Sequence, residues 1–225
     1  MRAHDIKNII FSSSTTVYDV QKLTPPFGEE GLIWNSASPY GTTKIIGEYI
    51  LRDIAMHSWF HVLALRYFNP VGAHPSWLIG ENPKDTPTNL LPIILRVAAG
   101  QSPKLNVYGN DYATTDGSCI RDYIHVDDVA QGHVAALAYM LEHPEVSFDA
   151  VNLGTGRWTS VLECIAIAEK VTEKKITFEI VARRPWDVPI TVAAVEKAKK
   201  LFAWEAKLSI EDAVRDAWHF RQSQS

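Results

Sequence analysis

The 225-residue chain has little of what marks a disulfide scaffold, a metal centre or a membrane protein. Its two cysteines, Cys119 and Cys164, stand 45 positions apart, which makes neither a metal-ligand pair nor a disulfide framework and suits buried thiols in a reducing compartment. The apolar runs are short, such as Ile9-Ile10-Phe11, far below the ~20 residues of a membrane span, and Met1 to Asp5 does not open a secretory signal. Basic residues are not in excess: 22 Lys and Arg against 26 Asp and Glu give a net charge of -4, so charge points to neither nucleic acid nor acidic lipid. His57 and His61 are four apart but lack the Glu of a zinc helix and enclose Trp59-Phe60, so no metal is expected. The twelve glycines form no Gly-x-x-Gly-x-x-Gly or Gly-x-Gly-x-x-Gly after a strand. Gly154-Thr155-Gly156 imitates the opening of such a motif, but Thr159 stands at the third glycine, and the segment reads as a tight strand-to-helix turn capped by Thr159 or Ser160. With 46% apolar residues and no repeat or low-complexity tract, the expectation is a soluble cytoplasmic protein with a sizeable core.

What is present has an alternating order. Asn8 to Phe11 reads as a buried strand running into a polar loop, Ser12 to Ser14. Pro39 opens a helical pattern to about His57, and His61 to Phe68 reads as a second strand. Strand, long loop, helix, strand is the order of a parallel sheet, whose ligand sites lie at the carboxyl ends of the strands, where Ser14 and Asn69 stand. A loop rich in Gly, Pro and Asn follows Asn69-Pro70 and runs through Lys84 and Thr86, and a soft boundary is placed at 70. Beyond it the pattern predicts a helix from Asn89 to Ala99, strands at Leu105 to Tyr108 and Cys119 to His125, and a helix from Val126 to Glu142 opened by Asp127 and Asp128, read as dipole and capping acids. It continues with a strand ending at Leu153, a helix from Thr159 to Val171, a strand from Ile176 to Val181, and helices from Ala194 to Phe202 and Ile210 to Gln222.

Tyr40 and Lys44 lie four apart, on one face of the predicted helix. A phenol is a poor base at neutral pH, and a cation held beside it favours the phenolate. Such a pair alone is common on solvated helix faces. Here it follows Ser14, whose hydroxyl, at a strand end, can hydrogen-bond a reacting alcohol. Ser, Tyr and Lys in that order suit proton removal from a secondary alcohol during hydride transfer.

At these residues the chain resembles the short-chain dehydrogenase/reductases of the extended type, and within them the UDP-hexose 4-epimerases. The likeness extends through Phe11 to Tyr18, Ser38 to Gly41, Leu65 to Ser76, Val107 to Tyr112, Arg121 to Val126 and Asn152 to Gly156, in the expected order. It implies an α/β fold: the carboxyl-terminal half of a Rossmann-type parallel sheet (1–70) and a smaller α/β substrate-binding region (71–225), with the strands and helix around 120–155 packing back on the sheet. It implies NAD as cofactor and interconversion of UDP-glucose and UDP-galactose through a 4-keto sugar. In that scheme Tyr40 is the base, Lys44 lowers its pKa and contacts the nicotinamide ribose, and Ser14 bonds the sugar hydroxyl. Ser12, Ser13 and Tyr67 join Tyr40 and Lys44 around the cofactor. Asn69, Asn89, Leu90, Asn106, Tyr108, Arg121, Arg184, Asp187 and Thr191 surround the UDP-sugar. A homodimer is the family's usual state.

The family's glycine-rich turn and following acid, which seat the NAD pyrophosphate, have no counterpart, so the chain reads as a fragment or natural short form whose activity alone is open. If short, its first strand would expose an edge that invites pairing. Asp19, Cys119, Thr88 and Pro185-Trp186 depart from the pattern, outside the Ser-Tyr-Lys set. Thr191 stands where the family carries a bulky or a small residue, and a small one would admit N-acetylhexosamines. Two other readings stay open. One is a different nucleotide-sugar enzyme such as a 4,6-dehydratase or decarboxylase, disfavoured because no Asp-Glu pair adjoins the serine. The other is a non-catalytic UDP-sugar-binding fragment.

Overall fold

A computed structural model describes the chain except Leu32, Trp34, Asn35, Ala37, Lys84, Thr86, Trp186, Ser225 and the side chain of Arg2. The elements run β1 Asn8–Ser14, α1 Pro39–His57, β2 His61–Tyr67, β3 Asn69–Val71, α2 Leu90–Ala98, β4 Leu105–Tyr108, β5 Ile120–Arg121, β6 Tyr123–His125, α3 Val126–Glu142 and β7 Phe148–Leu153. They continue with β8 Thr159–Ser160, α4 Val161–Thr172, β9 Phe178–Val181, β10 Ile190–Thr191, α5 Glu196–Phe202 and α6 Ile210–Ser223. The architecture is α/β with parallel strand pairs, as expected. Two compact units form: unit 1 comprises Met1–Phe68, Val129–Gly156 and Thr191–Ala206, and unit 2 comprises Asn69–Asp128, Arg157–Ile190 and Lys207–Ser225. The region beyond residue 70 is therefore shared between them, 129–156 and 191–206 joining unit 1.

Unit 1 is built on a parallel sheet in the order β1-β2-β7, with Ser14 opposite Tyr67 and Arg66 opposite Asn152. Strand alternation divides its two faces. Ser13 and Arg66 point to α1, where both reach Glu48. Tyr67 points the other way, to His133 on the unit 1 part of α3. The inner residues of β2, Val62 to Leu65, are almost fully buried, which explains the unbroken apolar run. The serines are not a loop, as expected, but the last three residues of β1: their backbone groups pair in register with Leu65, Arg66 and Tyr67, so polarity does not end the strand. A second cluster, Val17, Tyr18, Phe27, Ile45, Phe68 and Ala193, packs beside the sheet. Helix α5 starts at Glu196 and not Ala194, because the preceding backbone is extended on Phe27, with Phe27 N–H bonded to Val192 O at 2.8 Å and Ala194 N–H to Phe27 O at 3.0 Å.

Unit 2 packs α2, α4 and α6 around Leu91, Ile94, Leu95, Leu105, Val107, Cys164, Ile165 and Val214. The single strand expected over 119–125 is two, because the chain changes partner at Asp122: β5 runs antiparallel to β8, and β6 runs parallel to β3. The helix expected from Thr159 starts at Val161, since Thr159 and Ser160 pair with β5 and Ser160 caps α4 in a capping box with Glu163. Asp128 does not serve the dipole of α3 alone: its buried carboxylate accepts the backbone N–H groups of Lys207 and Leu208 at 3.1 and 2.9 Å. No described helix is long and apolar enough to cross a membrane.

Candidate functional site

In unit 1 the chemistry-bearing side chains gather at the carboxyl end of β1 and the start of α1. Ser38 caps α1, accepting Gly41 N–H at 3.1 Å, and Pro39 presets the first turn. This puts Tyr40 at the exposed helix start, 55% accessible, with Lys44 one turn on. Lys44 Nζ donates to Ser12 O at 2.8 Å and lies 5.4 Å from the Tyr40 ring centre. Gly41 is required by close approach: a Cβ there would stand 2.6 Å from Thr16 O. The start of α1 thus abuts the 3-10 turn Thr15–Val17 that follows Ser14. Ser14 Oγ caps that turn, accepting from Thr16 N and Thr16 Oγ1 at 3.2 and 3.0 Å. Next to it the buried Thr15 hydroxyl has no hydrogen-bond partner among the described residues.

Ser12 and Tyr67 are bonded through their hydroxyls at 2.7 Å. Burial raises the Tyr67 pKa, with the nearby Tyr40 adding to the effect, so its phenol stays protonated. Ser13 is apart from this group. It faces α1 and gives its hydroxyl to Glu48, which also takes Arg66 through Nε at 2.9 Å and Nη2 at 2.6 Å. Arg66 Nη1 extends the network to Tyr18 Oη at 3.2 Å, and Tyr18 to Asn152 at 2.6 Å. Glu48, Arg66 and His133 escaped sequence reasoning. The one hint for Glu48 is its place among the buried helical positions of α1.

In unit 2 a second group forms around Asp187. Its carboxylate receives Arg121 Nη2 at 2.9 Å on one oxygen, and Arg184 Nε and Nη2 at 3.1 and 3.0 Å on the other. Arg121 Nη1 also bonds Val188 O at 2.7 Å. The Arg184 guanidinium lies 4.7 Å over the ring of Tyr108, whose side chain shares the exposed face of β4 with Asn106. Trp186, within this segment, lies outside the described residues. Two cations around one anion leave a net positive site with planar donors suited to phosphate oxygens. Asn69 opens β3 with its N–H on Asp122 O, and its buried Oδ1 has no partner among the described residues. Such an orphaned acceptor costs about 1–3 kcal/mol and is released by a ligand donor. Asn89 stands at the cap position of α2 without a capping bond and gives Nδ2 to Glu81 at 3.2 Å, while Leu90 packs against the core. Thr191 is buried and belongs to unit 1.

The profile of the NAD dependent epimerase/dehydratase family matches residues 1–154. A UDP-glucose 4-epimerase of Cyamopsis tetragonoloba is 47% identical over 98% of the chain, which spans 62% of that relative. Among solved structures, a UDP-glucose-4-epimerase from Stenotrophomonas maltophila with bound NAD and formylated UDP-arabinopyranose superposes with a TM-score of 0.95 at 42% identity, over all of this chain and 66% of the other. One from Bifidobacterium longum with NAD+ and UDP gives 0.91 at 43% identity, over 99% and 66%. A profile match over more than half of the chain, on the segment that carries Ser14, Tyr40 and Lys44, shows that the chain belongs to the NAD dependent epimerase/dehydratase family.

Proposed function

We propose that the chain carries the catalytic residues and uridine anchors of an NAD-dependent UDP-hexose 4-epimerase, interconverting UDP-glucose and UDP-galactose through a 4-keto sugar. The observation that carries this reading is the juxtaposition of Tyr40 and Lys44 with Ser12 to Ser14 at the carboxyl end of β1. Tyr40, as a phenolate stabilised by the Lys44 ammonium, takes the proton from the sugar 4-hydroxyl and becomes the phenol, and Ser14 orients the hydroxyl. Lys44, Ser12 and Tyr67 offer an ammonium and hydroxyls, a donor and acceptor set that fits a ribose and a carboxamide, and these residues would hold the nicotinamide end of NAD. When bound, NAD supplies the acceptor for the hydride from carbon 4 and its return to the opposite face. Tyr40 then returns its proton, so no net oxidation occurs. Ser13 contributes through Glu48 and not as a cofactor ligand.

Arg121 and Arg184 would hold the pyrophosphate and Tyr108 the uracil. Asn69, Asn89, Leu90, Asn106 and Asp187 would complete the UDP site, and anchoring there leaves the keto sugar free to turn. The small Thr191 favours admission of N-acetylhexosamines. Ile46, Ile50 and Ile54, exposed along one stripe of α1, offer an apolar face for a homodimer. The free, buried thiols Cys119 and Cys164 suit the cytoplasm.

The test is equilibrium binding of NAD+ and UDP-galactose to the purified 225-residue chain, with product analysis of the same sample. Binding of both with formation of UDP-glucose is the expected result for an enzyme. UDP-galactose binding without NAD+ binding or turnover would favour the second reading, a non-catalytic UDP-sugar-binding chain. Binding of neither would overturn both.

A further inference from the structure

Chemistry fixes the hydrogen-bond directions beside Tyr67. His133 Nδ1 lies 2.8 Å from Val129 O, a carbonyl with no proton to give, so Nδ1 carries the hydrogen. In the neutral ring Nε2 is then a bare acceptor, and it stands 2.7 Å from Tyr67 Oη. The Tyr67 hydroxyl has one proton, which goes to His133. In its 2.7 Å contact with Ser12 Oγ, Ser12 must therefore be the donor. The carbonyl of the same Ser12 receives the Lys44 ammonium. A chain of bonds thus runs from α3 through β2 and β1 to the lysine of α1, all within unit 1.

We propose that His133 is a positioning residue: by accepting the Tyr67 proton it draws the Ser12 hydroxyl toward Tyr67 and leaves Ser12 Oγ as a pure acceptor for a ligand donor, a ribose hydroxyl or a carboxamide N–H. The ligand's identity rests on the NAD reading above; the direction of the chain does not. His133 acts through Tyr67 and Ser12 and touches no reacting atom. With the histidine protonated or removed, Tyr67 is released to donate to Ser12, and Ser12 turns its own proton outward, presenting a donor where the ligand needs an acceptor.

The experiment uses the 225-residue chain labelled with 13C at tyrosine Cζ, at pH 8, where ordinary imidazoles are neutral. The Tyr67 resonance is assigned by its loss in Tyr67→Phe. His133→Phe should shift the Tyr67 resonance with that of Tyr123 unmoved, and His133→Gln, whose amide oxygen can accept the same proton, should restore it. An unmoved Tyr67 resonance in His133→Phe, or no restoration by His133→Gln, overturns the proposal, since a merely structural histidine would change melting and not this signal. Should His133→Phe fail to fold, the 15N resonance of His133 Nε2 in Tyr67→Phe decides: a shift supports the bond and no shift refutes it. NAD+ titrations of the same proteins read the consequence, with affinity about five- to tenfold weaker in His133→Phe and regained in His133→Gln. A resonance shift without loss of affinity would overturn the link to the ligand. Absence of NAD+ binding by the unsubstituted chain would overturn the cofactor reading alone and leave the resonance result to judge His133.

Discussion

Replacing Glu48 by alanine would leave Arg66 charged inside unit 1, with the Tyr18 hydroxyl at 3.2 Å and the Glu29 carbonyl at 3.0 Å as its remaining described hydrogen-bond acceptors. The two side chains are 2% and 4% accessible and meet as a two-pronged pair. Removing one partner of such a pair costs about 3–5 kcal/mol, chiefly through the uncompensated charge. For a chain of this size 1 kcal/mol moves the thermal midpoint by about 2–4 °C, so the midpoint should fall by about 6–20 °C. Removing both charges together, in Glu48→Leu with Arg66→Met, takes away the desolvation penalty with the attraction and should recover most of that loss. Ser13 and Tyr18 still lose a partner each, so recovery stops about 1–2 kcal/mol short of the parent. Thermal and urea unfolding of the parent, the single and the double variants, followed by circular dichroism at pH 7.5, gives the cycle. A Glu48→Ala chain within about 1 kcal/mol of the parent, or a double variant as damaged as the single one, would refute the reasoning.

Three further outcomes are expected. Asp212 accepts from the hydroxyl and N–H of Ser209 and lies 2.8 Å from Arg215, contacts that hold its carboxyl down to about 2. Its stabilisation of α6 is therefore complete above the unfolded value near 3.9 and lost as pH falls through about 2, so Asp212→Asn should cost about 1 kcal/mol at pH 7 in urea unfolding and nothing below pH 2. Gly41→Ala places a methyl against Ser36 Oγ, 2.8 Å from Ser36 Cβ and 2.6 Å from Thr16 O; turning the serine hydroxyl relieves the first contact but neither of the others, and a melting curve should show a loss of about 1–3 kcal/mol. Arg121→Ala should weaken UDP binding by about 10- to 150-fold in titration calorimetry, while Lys104→Ala, at the exposed pair with Glu179, leaves it unchanged.

The parts of the fold that were legible in the sequence are those set by local spacing. Helix α1 has its cap and proline at the start, α3 its unbroken helical pattern, and β4 its alternation, and each forms at the expected residues. Tyr40 and Lys44 were likewise legible, because four residues on a helix fix a shared face. Elements whose limits depend on a distant partner were not. Ser12 to Ser14 are strand because β2 pairs with them, and residues 119–125 divide because β3 takes one half and β8 the other.

The same distinction governs the site. Arg66 lies inside the strand expected from His61 to Phe68, where local spacing names no partner for its charge. Register pairs it with Asn152 inside the sheet and turns it toward Glu48, 18 positions earlier, so its charge is neutralised and not solvated. One residue on, alternation sends Tyr67 to the opposite face and to His133, 66 positions later. Two neighbours in sequence thus serve different tasks: Arg66 holds α1, and with it Tyr40 and Lys44, on the sheet, while Tyr67 sets the direction of the Ser12 hydroxyl. Spacing names the residues that can react. The side chains that hold them in place become visible only when register assigns each strand residue its face.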